Sequence, residues 1–199
     1  MEHMTPVLLL SDGFIANGSE PWRIPSMKEY PKITPPIVTR APEGGFQPYA
    51  RDEKRLARMW ALPGTKGVEH RVGGLEKDSL SGAVSHDPEN HERMVGLRAA
   101  KVARVQDFIP KQEVVGGRRG ELLVVGWGGT YGHLLTAVRE LQHRGEQVSL
   151  CHFNFIHPLP RGVREIFSRF RRIVVCELNS GQFAGYLRQQ FQEFEFLQY

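Results

Sequence analysis

The sequence predicts an α/β fold: a parallel sheet with helices on both faces, preceded by a long irregular linker. Three observations lead there. Between Glu121 and Tyr199, strand-sized apolar runs alternate three times with stretches whose apolar residues recur at helical spacing. The turns between them are short, which favours β-α-β units and a parallel sheet. Upstream, Pro25, Pro31, Pro35, Pro36, Pro42, Pro48 and Pro63 deny regular structure to much of the stretch from Arg23 to Gly120.

Taken in chain order, the first expected element is a strand at Val7–Leu10, running into Ser11-Asp12-Gly13. It has no partner nearby in sequence, so it reads as the last strand of a separate domain. The proline-rich stretch then reads as an extended linker lying over another surface. Within it, His70 to Val84 carries Gly73-Gly74 and Ser81-Gly82, consistent with a short hairpin or loop. Asp87-Pro88-Glu89 supplies a capping side chain, a proline at the first helical position and an acid in the first turn. A helix near 88–109 follows, with Met94, Leu97, Val102, Val105 and Ile109 as a broken stripe that Pro110 stops.

The third region is the most regular. Leu122–Trp127 is a strand, and Leu134, Leu135, Val138 and Leu141 mark one face of a helix ended by Gly145. Gln147–Phe153 is a second strand. Pro158 and Pro160 precede a helix bearing Val163, Ile166, Phe167 and Phe170. Ile173–Leu178 is a third strand, Gly181 opens a helix with Phe183, Leu187 and Phe191, and Phe194–Tyr199 begins a fourth strand.

Composition narrows the function classes. The chain has 199 residues, of which 40% are hydrophobic and 24% charged, as expected of a folded globular protein. No apolar run approaches the roughly 18 residues of a membrane span, and no secretory signal is visible. The net charge of +4 is spread along the chain. Local knots at Arg118-Arg119 and Arg169–Arg172 read as solvated element ends rather than a nucleic-acid footprint. Cys151 and Cys176 each fall in an expected strand, which favours buried free thiols and a reducing, cytoplasmic setting.

Three constellations could carry chemistry. Gly126-Trp127-Gly128-Gly129-Thr130 follows a strand and opens a helix, where free backbone N–H groups favour an anion. As a dinucleotide fingerprint it fails: Tyr131 stands where the third glycine belongs, and the second strand ends without an acid. The turn reads as an anion cradle or as a structural corner, the corner being favoured. His86 to Glu92 is dense in possible metal ligands, but Asp87 is better used as a helix cap, and the spacing matches no familiar zinc pair. No metal site is expected. Glu177, Asn179 and Gly181 lie at the carboxyl end of the third strand, where parallel sheets bind ligands; they read equally as site residues or as a helix cap.

With these pieces in order the chain resembles a known family. SDGFIANGSEPW (Ser11–Trp22), PGTKGVEHRVGGLEK (Pro63–Lys77), SHDPENHERM (Ser85–Met94) and ELNSGQF (Glu177–Phe183) are similar to segments of the alpha subunit of 2-oxoacid:ferredoxin oxidoreductases, particularly the 2-oxoglutarate type. They are collinear and are spread along the chain from Ser11 to Phe183, so they are far more specific than a lone glycine turn.

The resemblance implies three parts: residues 1–22 as the end of a domain that binds the pyrimidine of thiamine diphosphate, 23–120 as linker, and 121–199 as an incomplete domain similar to the C-terminal domain of transketolases. It implies a chain truncated at both ends, whose segment is structural, forms an interface and is inactive alone. The parent reaction would be oxidative decarboxylation of a 2-oxoacid with coenzyme A, giving an acyl-CoA, CO2 and reduced ferredoxin. Thiamine diphosphate, magnesium and a 4Fe-4S cluster would be held mainly by missing segments and a beta subunit, with none bound to this chain alone. Two cysteines cannot build a four-cysteine cluster, in keeping with that division.

No catalytic residue carries over. Gly126, Gly128, Gly129 and Thr130 are expected near coenzyme A, and Glu177, Asn179 and Gly181 are a second candidate cofactor set. Partners implied are the beta subunit and ferredoxin, with self-association of the isolated segment and neither nucleic acid nor membrane. The alternatives are an autonomous nucleotide-binding α/β module and a non-catalytic interaction protein.

Overall fold

A computed structural model describes residues 1–199. The chain divides into two units, one of residues 1–7 and 22–108, the other of residues 8–21 and 109–199.

The first unit is built largely from turns. Two-residue strands β1 (Ile37–Val38) and β2 (Trp60–Ala61) pair in parallel. Between them the Asp52 carboxylate accepts hydrogen bonds from the backbone N–H groups of Lys54, Arg55 and Ala57 at 3.0, 2.7 and 2.9 Å. That knot folds the loop back so that Arg51 and Arg58 face each other in an antiparallel bridge. A second loop closes where Lys77 pairs antiparallel with Val84, and Asp78 accepts from the N–H groups of Leu80 and Ser81.

Helix α2 is the unit's one long element. It spans Pro88–Arg104, preceded in the chain by the short helix α1 (Gly13–Asn17), which belongs to the second unit. Asp87 caps α2 as expected, accepting from Glu89 and Asn90 N–H at 3.2 Å each. Asn90 is buried with both ends of its amide paired: its Oδ1 accepts from Ser79 N–H at 3.0 Å and its Nδ2 donates to the Lys77 carbonyl at 2.9 Å. These bonds fasten the helix to the Lys77–Val84 loop, since a buried amide left unpaired would cost 1–3 kcal/mol, roughly.

The second unit carries the expected parallel sheet. Strands β3 (Gly120–Trp127), β4 (Val148–Phe153), β5 (Phe170–Val175) and β6 (Phe196–Gln198) stand in the order β4-β3-β5-β6, all parallel. Successive residues of β3 point to opposite faces. Leu123 and Val125 join the core under α4 (Val163–Phe167) and α5 (Gln182–Gln190), while Val124 joins Val138, Leu134 and Leu141 of α3 (Tyr131–His143). Helices therefore cover both faces, as predicted.

The larger core is aromatic. Phe167 is fully buried, and its ring meets those of Phe191, Phe194 and Phe196 edge-on at 5.3, 5.9 and 5.3 Å, the geometry aromatic quadrupoles favour. Outside β4, Val115 and Leu150 exchange both backbone hydrogen bonds, at 2.8 and 2.9 Å, and close that edge of the sheet.

Several expected elements are corrected. Val7–Leu10 forms no strand: the segment is unpaired, and its residues are 63–91% exposed. Helix α2 ends at Arg104 and tightens into a 3₁₀ turn at Val105–Asp107 instead of reaching Ile109. Phe170 begins β5 rather than closing α4. β5 stops at Val175, so Cys176 lies just past the strand and not within it.

The two thiols lie on opposite faces of the sheet. Cys151 belongs to the core beneath α4 and α5, and Cys176 packs against the core beneath α3. A disulfide between them is therefore ruled out by geometry. Burial pushes the Cys151 thiol up to about 12 from an ordinary 9.0. Because the folded value lies above the unfolded one, the neutral thiol's contribution is intact below about 9 and fades as pH rises towards 12. Accordingly, thiol titration of the native chain at about pH 8 should leave Cys151 unlabelled until denaturant is added; rapid labelling in native buffer would contradict this burial.

Candidate functional site at the carboxyl edge of the sheet

The order β4-β3-β5-β6 places a topological switch between β3 and β5, because the chain leaves β3 towards one side and returns on the other. In open α/β sheets that crevice is the usual ligand site. Here the protein's own groups occupy it. Glu177, just past β5, is 9% exposed. Its carboxylate accepts from Phe183 N–H and Ala184 N–H at 3.0 Å each and from the Trp127 indole at 3.2 Å. A carboxylate at the start of α5 answers the helix dipole and two unpaired amides at once.

Asn179 and Gly181 serve the same cap. Asn179 Oδ1 accepts from Gly181 N–H at 3.2 Å. Gly181 holds φ +89°, a conformation that favours glycine, and the end of the Gln198 side chain packs against it. The structure thus brings Glu177, Asn179 and Gly181 together as a structural device.

The Gly126–Thr130 turn leaves β3 through a short 3₁₀ segment, Gly128–Thr130, before α3 starts. Thr130 donates its hydroxyl to the Trp127 carbonyl at 2.8 Å. Gly126 permits close packing: a Cβ would strike Leu134 and would stand 2.8 Å from Thr130 Oγ1. Gly129 lies under the Asp12 carboxylate, whose Oδ2 would be 2.7 Å from a Cβ built there, and Asp12 Oδ1 accepts from Phe14 N–H at 2.8 Å. A carboxylate therefore already stands where a phosphate would approach Gly129. Gly128, by contrast, faces open space.

Gly128 lines an open cavity of about 470 Å³, with Lys111, Gln112, Tyr131, His152 and Asn154 around it. His152 donates Nε2–H to the Gly128 carbonyl at 3.1 Å, a bond that assigns the proton to that nitrogen. Burial lowers its pKa, opposed by the carbonyls of Gly128 and Trp127, so the imidazole is neutral at pH 7. Tyr131 meets the His152 ring edge-on at 5.0 Å, and Gln112 Nε2 donates to the His152 carbonyl at 2.9 Å.

No protein-family model matches the sequence. The 2-oxoglutarate oxidoreductase subunit KorA of Mycobacterium tuberculosis, however, is 45% identical over 96% of this chain. The chain belongs to the alpha-subunit family of 2-oxoacid:ferredoxin oxidoreductases. It spans 29% of the length of that relative and 47% of the 2-oxoglutarate synthase subunit KorA of Methanothermobacter marburgensis, to which it is 26% identical. Among solved structures it is similar to a 2-oxoglutarate:ferredoxin oxidoreductase from Magnetococcus marinus with 2-oxoglutarate, coenzyme A and succinyl-CoA bound. The TM-score is 0.71 at 28% identity, over 79% of this chain and 27% of that one.

Two features of this alpha-subunit segment escape sequence reasoning. His152 looks like an ordinary strand residue, yet it sits at the carboxyl end of β4 beside the Gly128 carbonyl. Lys111 lies just past the proline that was expected only to stop a helix, and it reaches the cavity because the chain there runs back towards β4. Neither signal is periodic, so neither was recoverable from spacing. The metal-like run His86–Glu92 resolves into a cap at Asp87 and a hydrogen bond between His91 Nδ1 and the Glu76 carboxylate at 2.6 Å.

Proposed function

We propose that this chain is a portion of the alpha subunit of a 2-oxoglutarate:ferredoxin oxidoreductase, working within a larger assembly. The observation that carries the reading is the 45% identity over 96% of the chain, which extends across both units. The overall reaction would cleave the bond between the carboxyl and keto carbons of 2-oxoglutarate. CO2 departs, two electrons pass one at a time to two ferredoxins, and the acyl carbon is taken by the coenzyme A thiol, which gives up its proton. Thiamine diphosphate, held elsewhere in the assembly, supplies the carbanion chemistry when bound. A 4Fe-4S cluster does not fit this chain, because Cys151 and Cys176 lie on opposite faces of the sheet and no group of three potential ligands converges.

In this reading the C-terminal unit is a transketolase C-terminal-like support for the catalytic domains, and residues 1–22 complete a pyrimidine-binding domain supplied by the rest of the subunit. The exposed apolar residues Val7–Leu10 support that assignment, since such a run is normally covered. Coenzyme A approaches the carboxyl edge of the sheet on the Gly128 side, where Lys111 and neutral His152 line the cavity; the Gly129 side is held by Asp12. The complex is cytoplasmic, with a beta subunit and ferredoxin as partners. No helix is long and apolar enough to cross a membrane.

Reconstitution with the remaining alpha-subunit segments and a beta subunit tests the proposal. Viologen-linked, coenzyme A-dependent oxidation of 2-oxoglutarate should require this chain. Full activity without it would refute the assignment, and a thermal shift of the isolated chain with NAD or ATP would favour a nucleotide-binding module instead. In the reconstituted complex, Lys111→Glu should raise KM for coenzyme A by about tenfold through loss of a charged contact. An unchanged KM would remove that edge from the coenzyme site while leaving the subunit assignment intact.

A further inference from the structure

The first unit contains a feature that the oxidoreductase reading does not use. Arg51 and Arg58 stand directly opposite each other in an antiparallel bridge, where like charges repel. Both guanidinium groups lie over the same Tyr49 ring, at 5.8 and 4.2 Å from its centroid. Arg51 is fixed from behind: its Nη1 donates to the carbonyls of Tyr49 and Ser79 at 2.9 and 3.4 Å, and its Nη2 meets Met94 Sδ of α2 at 3.8 Å. Lys101 extends from the same helix, two turns on, and gives one proton to the Met4 carbonyl at 2.9 Å. All three cations are half-buried.

No carboxylate answers them. Asp52, the nearest acid in sequence, spends its oxygens on the amides of Lys54, Arg55 and Ala57. Glu76 is held by Arg98 and His91. Burial, then Arg58, lowers the Arg51 pKa; burial, then Arg58 and Arg51, lowers that of Lys101, so the three cations feel one another. The Tyr49 ring returns only part of this cost, through the attraction of a cation to an aromatic face. Arg58 and the two remaining Lys101 protons are left as donors, and paired guanidinium and ammonium groups suit an oxyanion with several acceptor oxygens.

We propose that Arg51, Arg58 and Lys101 form a binding site for a dianionic tetrahedral oxyanion, either free phosphate or the phosphoryl group of an ester. Arg51 preorganises the site, Arg58 supplies the planar fork, and Lys101 adds a point charge. The site is independent of the carboxyl-edge cavity and of the subunit assignment.

Thermal unfolding of the 199-residue chain tests it. Phosphate or sulfate at about 10 mM should raise the midpoint, while chloride at matched ionic strength should not, because only a bound ion stabilises by mass action. Arg58→Gln should raise the midpoint in chloride by relieving repulsion, and should abolish the response to phosphate. Lys101→Gln, in a milder change, should weaken phosphate binding by about tenfold. A phosphomonoester that binds more tightly than inorganic phosphate identifies an attached phosphoryl group, and equal binding identifies the free ion. The proposal is overturned if chloride stabilises as well as phosphate, or if both variants keep the full phosphate response. It is overturned equally if an acidic peptide binds where phosphate does not.

Discussion

Replacing Glu177 with alanine is expected to destabilise the chain by about 2–4 kcal/mol, one of the largest effects of any single polar substitution here. The carboxylate holds three donors, the Phe183 and Ala184 amides and the Trp127 indole. Truncation strips the first turn of α5 of its cap and leaves the indole N–H without a partner beneath Phe183, whose ring lies 6.0 Å away. Glu177→Gln is the informative control. An amide keeps an acceptor oxygen but aims an NH2 group at a backbone N–H, so it should recover about half of the loss. Urea unfolding of both variants measures this. An alanine variant within about 0.5 kcal/mol of the parent would mean that Glu177 is not the cap that organises the β5–α5 turn.

Phe167→Ala should cost about 3–5 kcal/mol, the range for removing a fully buried aromatic ring. The ring meets Phe191, Phe194 and Phe196, so its loss opens a void at the junction of α4, α5 and β6. Phe167→Leu keeps most of the volume and should cost less, about 1–1.5 kcal/mol. The two midpoints together separate cavity formation from loss of edge-on aromatic contacts. Equal effects of leucine and alanine would show that ring geometry, not volume, dominates the site.

Much of the second unit was legible because its elements bury one face each, and burial writes a period into sequence. Leu134, Val138 and Leu141 recur at helical spacing since only that face of α3 meets β3 and β4. Gly145 was readable as the stop because a left-handed residue follows the helix, and its φ is +88°. Val7–Leu10 misled for the opposite reason: a short apolar run reports a tendency to be buried, while a strand needs a neighbour to pair with, and this segment has none in the structure. The boundary between α4 and β5 blurred because Val163, Ile166, Phe167 and Phe170 all enter one core, whichever element carries them.

The candidate sites were legible only in part. Sequence placed Glu177 and the Gly126–Thr130 turn at the carboxyl edge; it left the choice between site residue and cap even for Glu177 and favoured a structural corner over an anion cradle for the turn. The decision depends on what stands opposite, namely Trp127 for Glu177 and Asp12 for Gly129. Asp12 is over a hundred residues away in the chain, so no local pattern could reveal it. The pairing of Arg51 with Arg58 was hidden for a related reason: it lies in an irregular stretch, where the Asp52 knot rather than any repeat sets the register.

The bridge between Val115 and Leu150 has a consequence for how copies of this chain could join. Leu150 of β4 is thereby spent on Val115, and β6 is the opposite edge strand of this four-stranded sheet. Head-to-tail polymer growth requires two complementary rims, whereas a single available rim can be satisfied only by its own twin. Joining through the rims of this one sheet would thus terminate at a symmetric pair instead of propagating into a filament.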